Sequence, residues 1–477
     1  MSNLSGYDGD AVGFDSVPPE SKPSAASSTQ TSEFGERGAA SQTAAAKDVG
    51  CTASAEDFQD IAPEPGYPQG LNEFLRRVVP GVLEQLAHHD QGAFSSDSEE
   101  EVSRAVLLHE LGVGRDSGCG DHHAAALGVS WSCAGGLAVA VGAGQHESWC
   151  ERPGLVRLYS LRRRGGPQAT DVEERECVTA IRYHPTVATL LAYGTASGEL
   201  VARQGSGEAL TAPAGGSARV SALRWADAHL ANVYLTMLVR ARGVRRCASD
   251  QVLFSASSDG ALTVWRVNID LRTFEKLVRY ELDASLKARP DITCFDIPRS
   301  HPLRSVGDRA PDVFVVGAKC GGLLLCGVGD QLEDVDPLVE RLEGHSTCVL
   351  DVAFGPRPGL FVSLSIDSEL RVHRAGRPGA LRIFCLDAEV SCMSWLGNGP
   401  CVVIGLTGSE KETLRVYNVS TGKRVPVEGM SGDTSVTCVD VCQSGAIKIA
   451  AGYAGNTVRV WELPALQDKF VWYSFDE

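Results

Sequence analysis

The 477-residue chain has a formal net charge of -16 at pH 7, a sequence pI of about 5.2 and 43% hydrophobic residues. It is long and apolar enough to bury a sizeable core, and its negative charge disfavours nucleic acid and anionic lipid surfaces as partners. The fifteen cysteines include no C-x-x-C pair and lie mostly in apolar runs, which is typical of reduced thiols in a protein that forms no disulfides.

Residues 1–66 are rich in Ser, Ala, Gly, Pro and acidic residues and contain few apolar clusters. Burial in such a segment cannot offset the entropy cost of ordering it, so we predict a disordered acidic arm. The first residues have neither a basic stretch nor an apolar core typical of a targeting signal, so we expect a cytoplasmic protein. Two related tripeptides, twelve residues apart, lie in this arm: Thr29, Gln30 and Thr31, and Ser41, Gln42 and Thr43.

Residues 67–119 are predicted to be helical. Apolar residues recur there at spacings of three and four, which indicates one face of an amphipathic helix. Pro80 and Gly81 interrupt this pattern, so either two short helices meet there or Pro80 begins the second one. Ser98 and Glu101 resemble a capping box and Gly112 a helix end, which predicts a further helix before residue 112. The apolar stripe consists of Leu71, Phe74, Leu75, Val78, Val82, Leu83 and Leu86.

From about residue 120 the hydrophobic period changes from 3.6 to 2, which indicates short strands. The uncharged stretch 124–144 has the length of a membrane span, but its Gly, Ser and Ala content and a break at 133–136 favour two buried strands. A sequence pattern that predicts three short strands recurs seven times, for example in "VTAIRYHPTVATLLAYGTASGELVAR" and "VTCVDVCQSGAIKIAAGYAGNTVRVWEL". Seven copies with a weaker fourth strand predict an all-β, seven-bladed propeller over residues 120–477.

Motifs that carry chemistry are few. The sequence contains no phosphate-binding G-x-x-x-x-G-K-[ST], no dinucleotide-binding glycine motif opening a helix, no G-x-S-x-G and no H-E-x-x-H. "CGDHH" at 119–123 offers three metal-ligand types, but no second ligand cluster has suitable spacing, so we expect neither a metal nor another cofactor. "SSDSEEE" at 95–101 could accept phosphate, although a capped acidic helix start explains it more simply.

A long insertion in the third repeat concentrates Arg240, Arg242, Arg245 and Arg246 in an otherwise acidic protein. Either it is an interaction loop that faces an acidic partner, or it is a solvated insertion.

The repeats resemble WD40 units. "SSDGALTVWRV" and "AGNTVRVWEL" look like WD40 strand endings, and "GHSTCVLDVAF" followed by "SIDSELRV" looks like one complete Gly-His to Asp frame. In that family, a His, a hydroxyl and a Trp form an internal hydrogen-bond chain, and an Asp holds a tight turn. The resemblance therefore implies structural roles for five residues: Asp259, Trp265, His345, Asp367 and Trp461.

An acidic arm with TQT-like tripeptides, an amphipathic segment and a degenerate WD40 propeller together resemble a dynein intermediate chain. The segments "LNEFLRRV" and "GVSWSCAGGLAVAVGAGQHESWC" are most similar to the cytoplasmic dynein 2 class, which acts in intraflagellar transport in cilia and flagella. The resemblance implies a non-catalytic scaffold whose propeller binds a dynein heavy chain. It also implies that the two tripeptides bind a small homodimeric light chain by strand addition, and that the apolar stripe binds a roadblock-type light chain.

The same resemblance implies a cytoskeletal location in the cilium or flagellum and at the basal body, and pairing with a second intermediate chain, identical or different. Two alternatives remain: a WD40 adaptor of another class, such as a substrate receptor, and an enzyme built on a propeller. The second would need convergent acid and base residues at the channel mouth, and the sequence contains no such constellation.

Overall fold

The computed structural model describes residues 103–463 with the exception of several loops. The two tripeptides, the apolar stripe and the "CGDHH" motif all lie outside the described residues. The loops left out are 115–123, 144–152, 162–165, 213–217, 283–289, 299–312, 330–331, 333, 335, 409–411, 433 and 443–444.

The described residues form seven four-stranded antiparallel sheets, which confirms the predicted seven-bladed propeller. Two strands precede the first blade: β1 (Ser103–Arg104) and β2 (Val106–Gly112). Blade 1 contains β3 (Ala124–Trp131), β4 (Gly136–Ala143), β5 (Gly154–Ser160) and β6 (Gln168–Glu174); blade 2 contains β7 (Val178–Tyr183), β8 (Leu190–Thr195), β9 (Leu200–Gln204) and β10 (Ala209–Thr211).

Blades 3 to 5 follow the same order from the inner strand outwards. Blade 3 contains β11 (Val220–Trp225), helix α1 (Ala228–Arg242), β12 (Gln251–Ser257), β13 (Ala261–Asn268) and β14 (Thr273–Glu281). Blade 4 contains β15 (Ile292–Asp296), β16 (Val313–Ala318), β17 (Leu323–Gly327) and β18 (Leu338–Leu342); blade 5 contains β19 (Val349–Phe354), β20 (Leu360–Ser365), β21 (Glu369–Arg374) and β22 (Arg382–Cys385).

Blade 6 contains β23 (Val390–Trp395), β24 (Cys401–Leu406), β25 (Leu414–Asn418) and β26 (Arg424–Val425). A short strand, β27 (Val427–Glu428), pairs in parallel with β1. Blade 7 contains β28 (Val436–Cys442), β29 (Ile447–Tyr453) and β30 (Thr457–Leu463), and takes β2 as its outer strand.

Glycines in the second strand of blades 2 and 4 allow neighbouring blades to approach closely. A Cβ atom added at Gly194 of blade 2 would lie 2.5 Å from the Val220 side chain of blade 3. At Gly317 of blade 4, it would lie 2.7 Å from Val349 of blade 5. Both distances are shorter than any van der Waals contact, so these positions exclude a larger side chain and the small residue of the repeat serves inter-blade packing.

The prediction of a helix that ends at Gly112 is wrong for residues 103–112, because these residues form strands β1 and β2. Strand β2 runs antiparallel to β30, with Leu111 opposite Val458. Leu111 is buried and packs in the core between blades 7 and 1. By pairing with β30, strand β2 provides hydrogen-bond partners for the backbone groups at the edge of β30, which a helix at these positions would leave unpaired. Tertiary structure therefore overrides the local helix signals. The blade 7 sheet therefore includes Val106–Gly112, which lie before residue 120 in the chain.

Two further bonds join blade 7 to blade 1. The indole Nε1 of Trp131 donates to the carbonyl of Asp440 over 3.2 Å, and the hydroxyl of Thr437 donates to the carbonyl of Ala126. Together with β2, these contacts join the first and last blades, so the ring is closed by residues far apart in sequence.

The uncharged stretch 124–144 contains two strands, β3 and β4, as predicted. Within the described part of the chain, no helix is both long and apolar enough to cross a membrane. The twelve described cysteines are all free thiols; five are buried, three are exposed and the others are half-buried.

Candidate interaction surfaces

The predicted WD40 hydrogen-bond chain is present in blade 5 with one change. His345 Nε2 lies 2.8 Å from the hydroxyl of Ser363, which in turn lies 3.0 Å from His373 Nε2. Histidine thus occupies the place that tryptophan takes in the family pattern. Burial lowers the pKa of His345 below its ordinary value and lowers the pKa of His373 to about 3. Both imidazole rings are therefore neutral at pH 7.

Asp367 lies in the adjoining turn. Its carboxylate accepts the hydroxyl of Ser346 at 3.0 Å and the backbone N–H of Glu369 at 3.1 Å. The ligand atoms of His345, Asp367 and Glu369 lie within 4.8 Å of one another, which is a spacing a metal could use. However, Arg371 already donates to Glu369 Oε2 at 2.7 and 2.9 Å, so the group is better described as a braced turn.

In blade 3, Trp265 and Asp259 form separate contacts. The indole Nε1 of Trp265 donates to the hydroxyl of Ser255 over 2.8 Å, and Asp259 accepts Arg279 at 2.8 Å as well as the hydroxyl of Ser257. Described residues of blades 2 and 3, including Trp265, line a cavity of about 360 Å³.

In blade 7, Trp461 is almost fully buried, and its ring meets the ring of Tyr453 edge-on at a centroid distance of 6.3 Å. It contributes mainly packing to that blade. All five residues named from the WD40 resemblance thus lie within the propeller framework.

The inner strands carry a charged ring that sequence analysis missed. Arg224 of blade 3 donates to Asp296 of blade 4 at 2.7 Å, and Arg182 of blade 2 lies 3.3 Å from Asp440 of blade 7. Each aspartate also accepts a backbone N–H from the following blade: that of Phe354 at 2.8 Å for Asp296, and that of Trp131 at 2.8 Å for Asp440. All four residues lie within the last three positions of an inner strand, which the sequence shows, but the choice of partners joins residues far apart in the chain and could not be read from it.

A fifth inner-strand residue, Asp351, differs from the others. Burial raises the pKa of its carboxyl to about 6, although nearby Arg224 and Arg182 favour the charged form. The other described charged groups of the ring pair across blades, Arg224 with Asp296 and Arg182 with Asp440. We therefore interpret the ring as a structural link between blades.

The arginine-rich insertion, which the sequence left as either an interaction loop or a solvated insertion, contains a helix with a basic end. Arg240 and Arg242 lie in the last turn of α1, and Arg245 and Arg246 lie in the segment that returns to β12. All four side chains are exposed. Leu230, Ala231, Tyr234, Leu235 and Leu238 of the same helix are buried against blades 3 and 4.

Comparisons with known proteins agree with this architecture. The WD domain, G-beta repeat (WD40), matches residues 337–374 and 424–462. Cytoplasmic dynein 2 intermediate chain 2 of Homo sapiens is 24% identical over 432 residues, covering 82% of this chain and 76% of that protein. The ciliary dynein intermediate chain 2 of Heliocidaris crassispina is 23% identical over 36% of this chain and 24% of its own length.

Two other matches concern the propeller fold. The guanine nucleotide-binding protein subunit beta of Arabidopsis thaliana is 30% identical over 26% of this chain and 33% of its own length. The crystal structure of the WD40 propeller domain of Doa1 matches with a TM-score of 0.50 and 19% identity, covering 78% of this chain and all of that domain. At that identity, the structural match supports the fold alone.

Proposed function

We propose that this WD40 propeller protein, which is related in sequence to dynein intermediate chains over most of its length, is a non-catalytic scaffold of a dynein complex. One observation carries the proposal. The match to the human dynein 2 intermediate chain covers 82% of the chain, whereas residues 103–463 make up about three quarters of it. The similarity therefore extends to residues before the propeller, which a shared WD40 fold alone does not explain.

In this role the propeller binds the dynein heavy chain, and the segment before it binds light chains. A propeller suits this role because its blades are held by close packing and inter-blade bonds such as that of Trp131. The segment that precedes the propeller is joined to it through β2, which is the outer strand of blade 7. A load applied to that segment is therefore transmitted to a hydrogen-bonded sheet.

The light-chain sites follow from the chemistry of two short sequences. The tripeptides Thr29–Thr31 and Ser41–Thr43 would each add as a strand to a small homodimeric light chain, with backbone hydrogen bonds supplying affinity. Twelve extended residues span about 40 Å, which lets neighbouring light-chain dimers occupy both tripeptides at once. The apolar stripe that includes Phe74 and Val82 would bind a roadblock-type light chain through one helix face. Two such arms side by side would pair this chain with a second intermediate chain.

The proposed setting is retrograde intraflagellar transport, with the protein at the cytoskeleton of the cilium or flagellum and at the basal body. The relatives whose names carry this setting are the dynein 2 and ciliary intermediate chains. The alternative is a WD40 adaptor without motor association.

Affinity purification of the tagged full-length chain from ciliated cells separates these two functions. We expect a heavy chain of the dynein class and small light chains in stoichiometric amounts. Recovery of a different set of partners with no motor subunit would overturn the proposal.

Substitutions in the same full-length chain test each light-chain site. Replacing Thr29, Gln30 and Thr31 with alanine should deplete the strand-binding light chain, while the control Thr52→Ala with Ser54→Ala should not. Phe74→Asp with Val82→Asp should deplete the roadblock-type light chain. The matched control, Asn72→Asp with Gln85→Glu, adds the same charge at polar positions and should retain it. Equal depletion by variant and control would contradict the site concerned.

A further inference from the structure

The basic end of helix α1 has a geometry that the proposed scaffold function does not require. The connection between β11 and β12 spans residues 226–250, whereas the equivalent connection of blade 5, between Phe354 and Leu360, has only five residues. Because short connections join these two strands in blades 1, 2, 5, 6 and 7, the fold itself does not need the added helix. The insertion therefore serves a purpose beyond chain connection.

The helix is held rigidly against the propeller. Asp227 caps its start by accepting the N–H of Leu230 at 2.7 Å, and Gly243 ends it in the left-handed conformation with φ 64°. In its middle, the hydroxyl groups of Tyr234 and Tyr280 lie 2.9 Å apart, and both side chains are fully buried. The caps at the two ends of the helix and the buried tyrosine at its centre together fix the position of its last turn.

The return segment is braced as well. The buried carboxylate of Asp250 accepts Arg266 at 2.9 Å, Asn268 at 2.7 Å and the N–H of Cys247 at 2.8 Å. Arg266 also donates to the carbonyl of Arg245 over 3.4 Å. The backbone that carries the last two arginines is thus tied to the body of blade 3, so the basic surface is preorganised.

The four arginines of this surface, which we call the basic tip (residues 239–246), have no acidic partners among the described residues. Arg242 donates to the carbonyls of Lys276 and Leu277 at 3.4 and 3.3 Å, and Arg246 donates to the amide oxygen of Asn232. Neither Arg240 nor Arg245 forms an ion pair with a described carboxylate. By contrast, the described Arg residues of the inner ring and of β13 all pair with aspartate.

The helix dipole explains only part of this cluster. It stabilises Arg240 and Arg242 in the last turn, but its effect falls off beyond the helix and does not extend to Arg245 and Arg246. Four like charges within seven residues repel one another, which is a cost that the fold alone does not recover. Val239, at 41% exposure, adds an apolar contact beside the charges. Arginine is enriched at protein interfaces and among the residues that contribute most to binding.

We propose that the basic tip docks a carboxylate-rich segment of a partner protein. The guanidinium fork pairs with carboxylates through two parallel hydrogen bonds, and a preorganised set of four favours a segment with several closely spaced acidic residues. The whole chain has a net charge of -16, which disfavours an extended polyanion such as a nucleic acid or an anionic membrane, because it would contact more of the acidic chain than a short segment docked on the tip does. This inference is independent of the dynein assignment, because it rests on the tip alone.

The test uses the purified full-length chain and a fluorescent 16-residue helical peptide with glutamate at every fourth position, in 150 mM salt. Its counterpart with glutamine in place of glutamate is the neutral probe. We expect the acidic peptide to bind and the neutral one to fail. Arg240→Glu with Arg245→Glu should weaken acidic-peptide binding at least about tenfold, because two charge-assisted contacts become repulsive.

Two matched variants sharpen the result. Arg175→Glu with Arg377→Glu makes the same charge change at exposed arginines of other blades and should leave binding within about twofold. Arg240→Lys with Arg245→Lys keeps the charge but loses the fork, and should weaken binding severalfold. The melting temperature of each variant should match that of the parent, because the substituted side chains are exposed.

Several outcomes would overturn the proposal. One is equal weakening by the control reversal; another is binding of an oligonucleotide or of anionic phosphatidylserine vesicles at least as tight as that of the peptide. A third concerns the chain's own acidic residues. If replacing Asp97, Glu99, Glu100 and Glu101 with their amides strengthened peptide binding severalfold, the tip would be occupied by this chain itself.

Discussion

The buried ion pair at the base of the insertion should contribute far more to stability than an exposed pair in the same region. The side chains of Asp250 and Arg266 are 0% and 5% exposed, whereas those of Glu208 and Arg272 are 59% and 68% exposed. Asp250→Ala removes three hydrogen-bond acceptor contacts and leaves Arg266 with Glu275 at 3.2 Å as its remaining carboxylate. Breaking a buried pair costs about 3 to 5 kcal/mol, and the remaining Glu275 favours the lower end, about 3 kcal/mol.

Urea unfolding followed by tryptophan fluorescence measures this difference. For a slope of about 3 kcal/mol per M, a loss of about 3 kcal/mol lowers the midpoint by about 1 M. Glu208→Ala, the exposed control, should lower the free energy of unfolding by less than about 1 kcal/mol. Equal shifts for the two variants would refute the reasoning.

The pH dependence gives a second check on Asp250. Burial alone raises the pKa of its carboxyl, but the hydrogen bonds from Arg266, Asn268 and Cys247 outweigh that effect and hold the pKa below the ordinary 3.8. A carboxylate with a lowered pKa stabilises the fold above the unfolded-state pKa and loses that contribution as pH falls through the folded-state pKa. The difference between the parent and Asp250→Ala should therefore persist at pH 5 and narrow only below about pH 3.8.

Three further predictions concern other parts of the propeller. Leu111→Ala should lower the free energy of unfolding by about 2 to 5 kcal/mol, because the Leu111 side chain is buried in the core between blades 7 and 1. The control Leu107→Ala, on the same strand but 47% exposed, should lower it much less. Equal melting temperatures for the two variants would contradict the strand assignment. Asp351→Asn should raise the melting temperature more at pH 8 than at pH 4.5, because a carboxyl whose pKa is raised from 3.8 to about 6 on folding lowers stability progressively as pH rises above 3.8, and in full above about 6. Burial lowers the pKa of His184 to about 4, so the neutral ring stabilises the fold above pH 6.5 and this contribution is lost as pH falls towards 4. His184→Asn should therefore make the melting temperature less dependent on pH between 6.5 and 4, as measured by thermal unfolding in matched buffers.

The sequence by itself determined the repeat architecture. A pattern of three short strands that recurs seven times predicted seven blades, because each repeat can pair its own strands into one sheet. The WD40 resemblance implied structural roles for Asp367 and Trp265, and both act within one repeat: Asp367 accepts the N–H of Glu369, and Trp265 donates to Ser255.

Only the tertiary structure decided the features that depend on residues far apart in sequence. Residues 106–112 carry local helix signals but form a strand, because β30, more than 300 residues later, offers an open edge. The pairing of Arg182 with Asp440 spans 258 residues, so no local pattern could reveal it. The arginine cluster was visible in the sequence, but its rigidity was not, since it depends on the buried contacts of Tyr234 and Asp250 with distant strands. Local sequence fixes what each repeat can form, while packing between repeats decides which strands close the ring and which charges remain free to bind a partner.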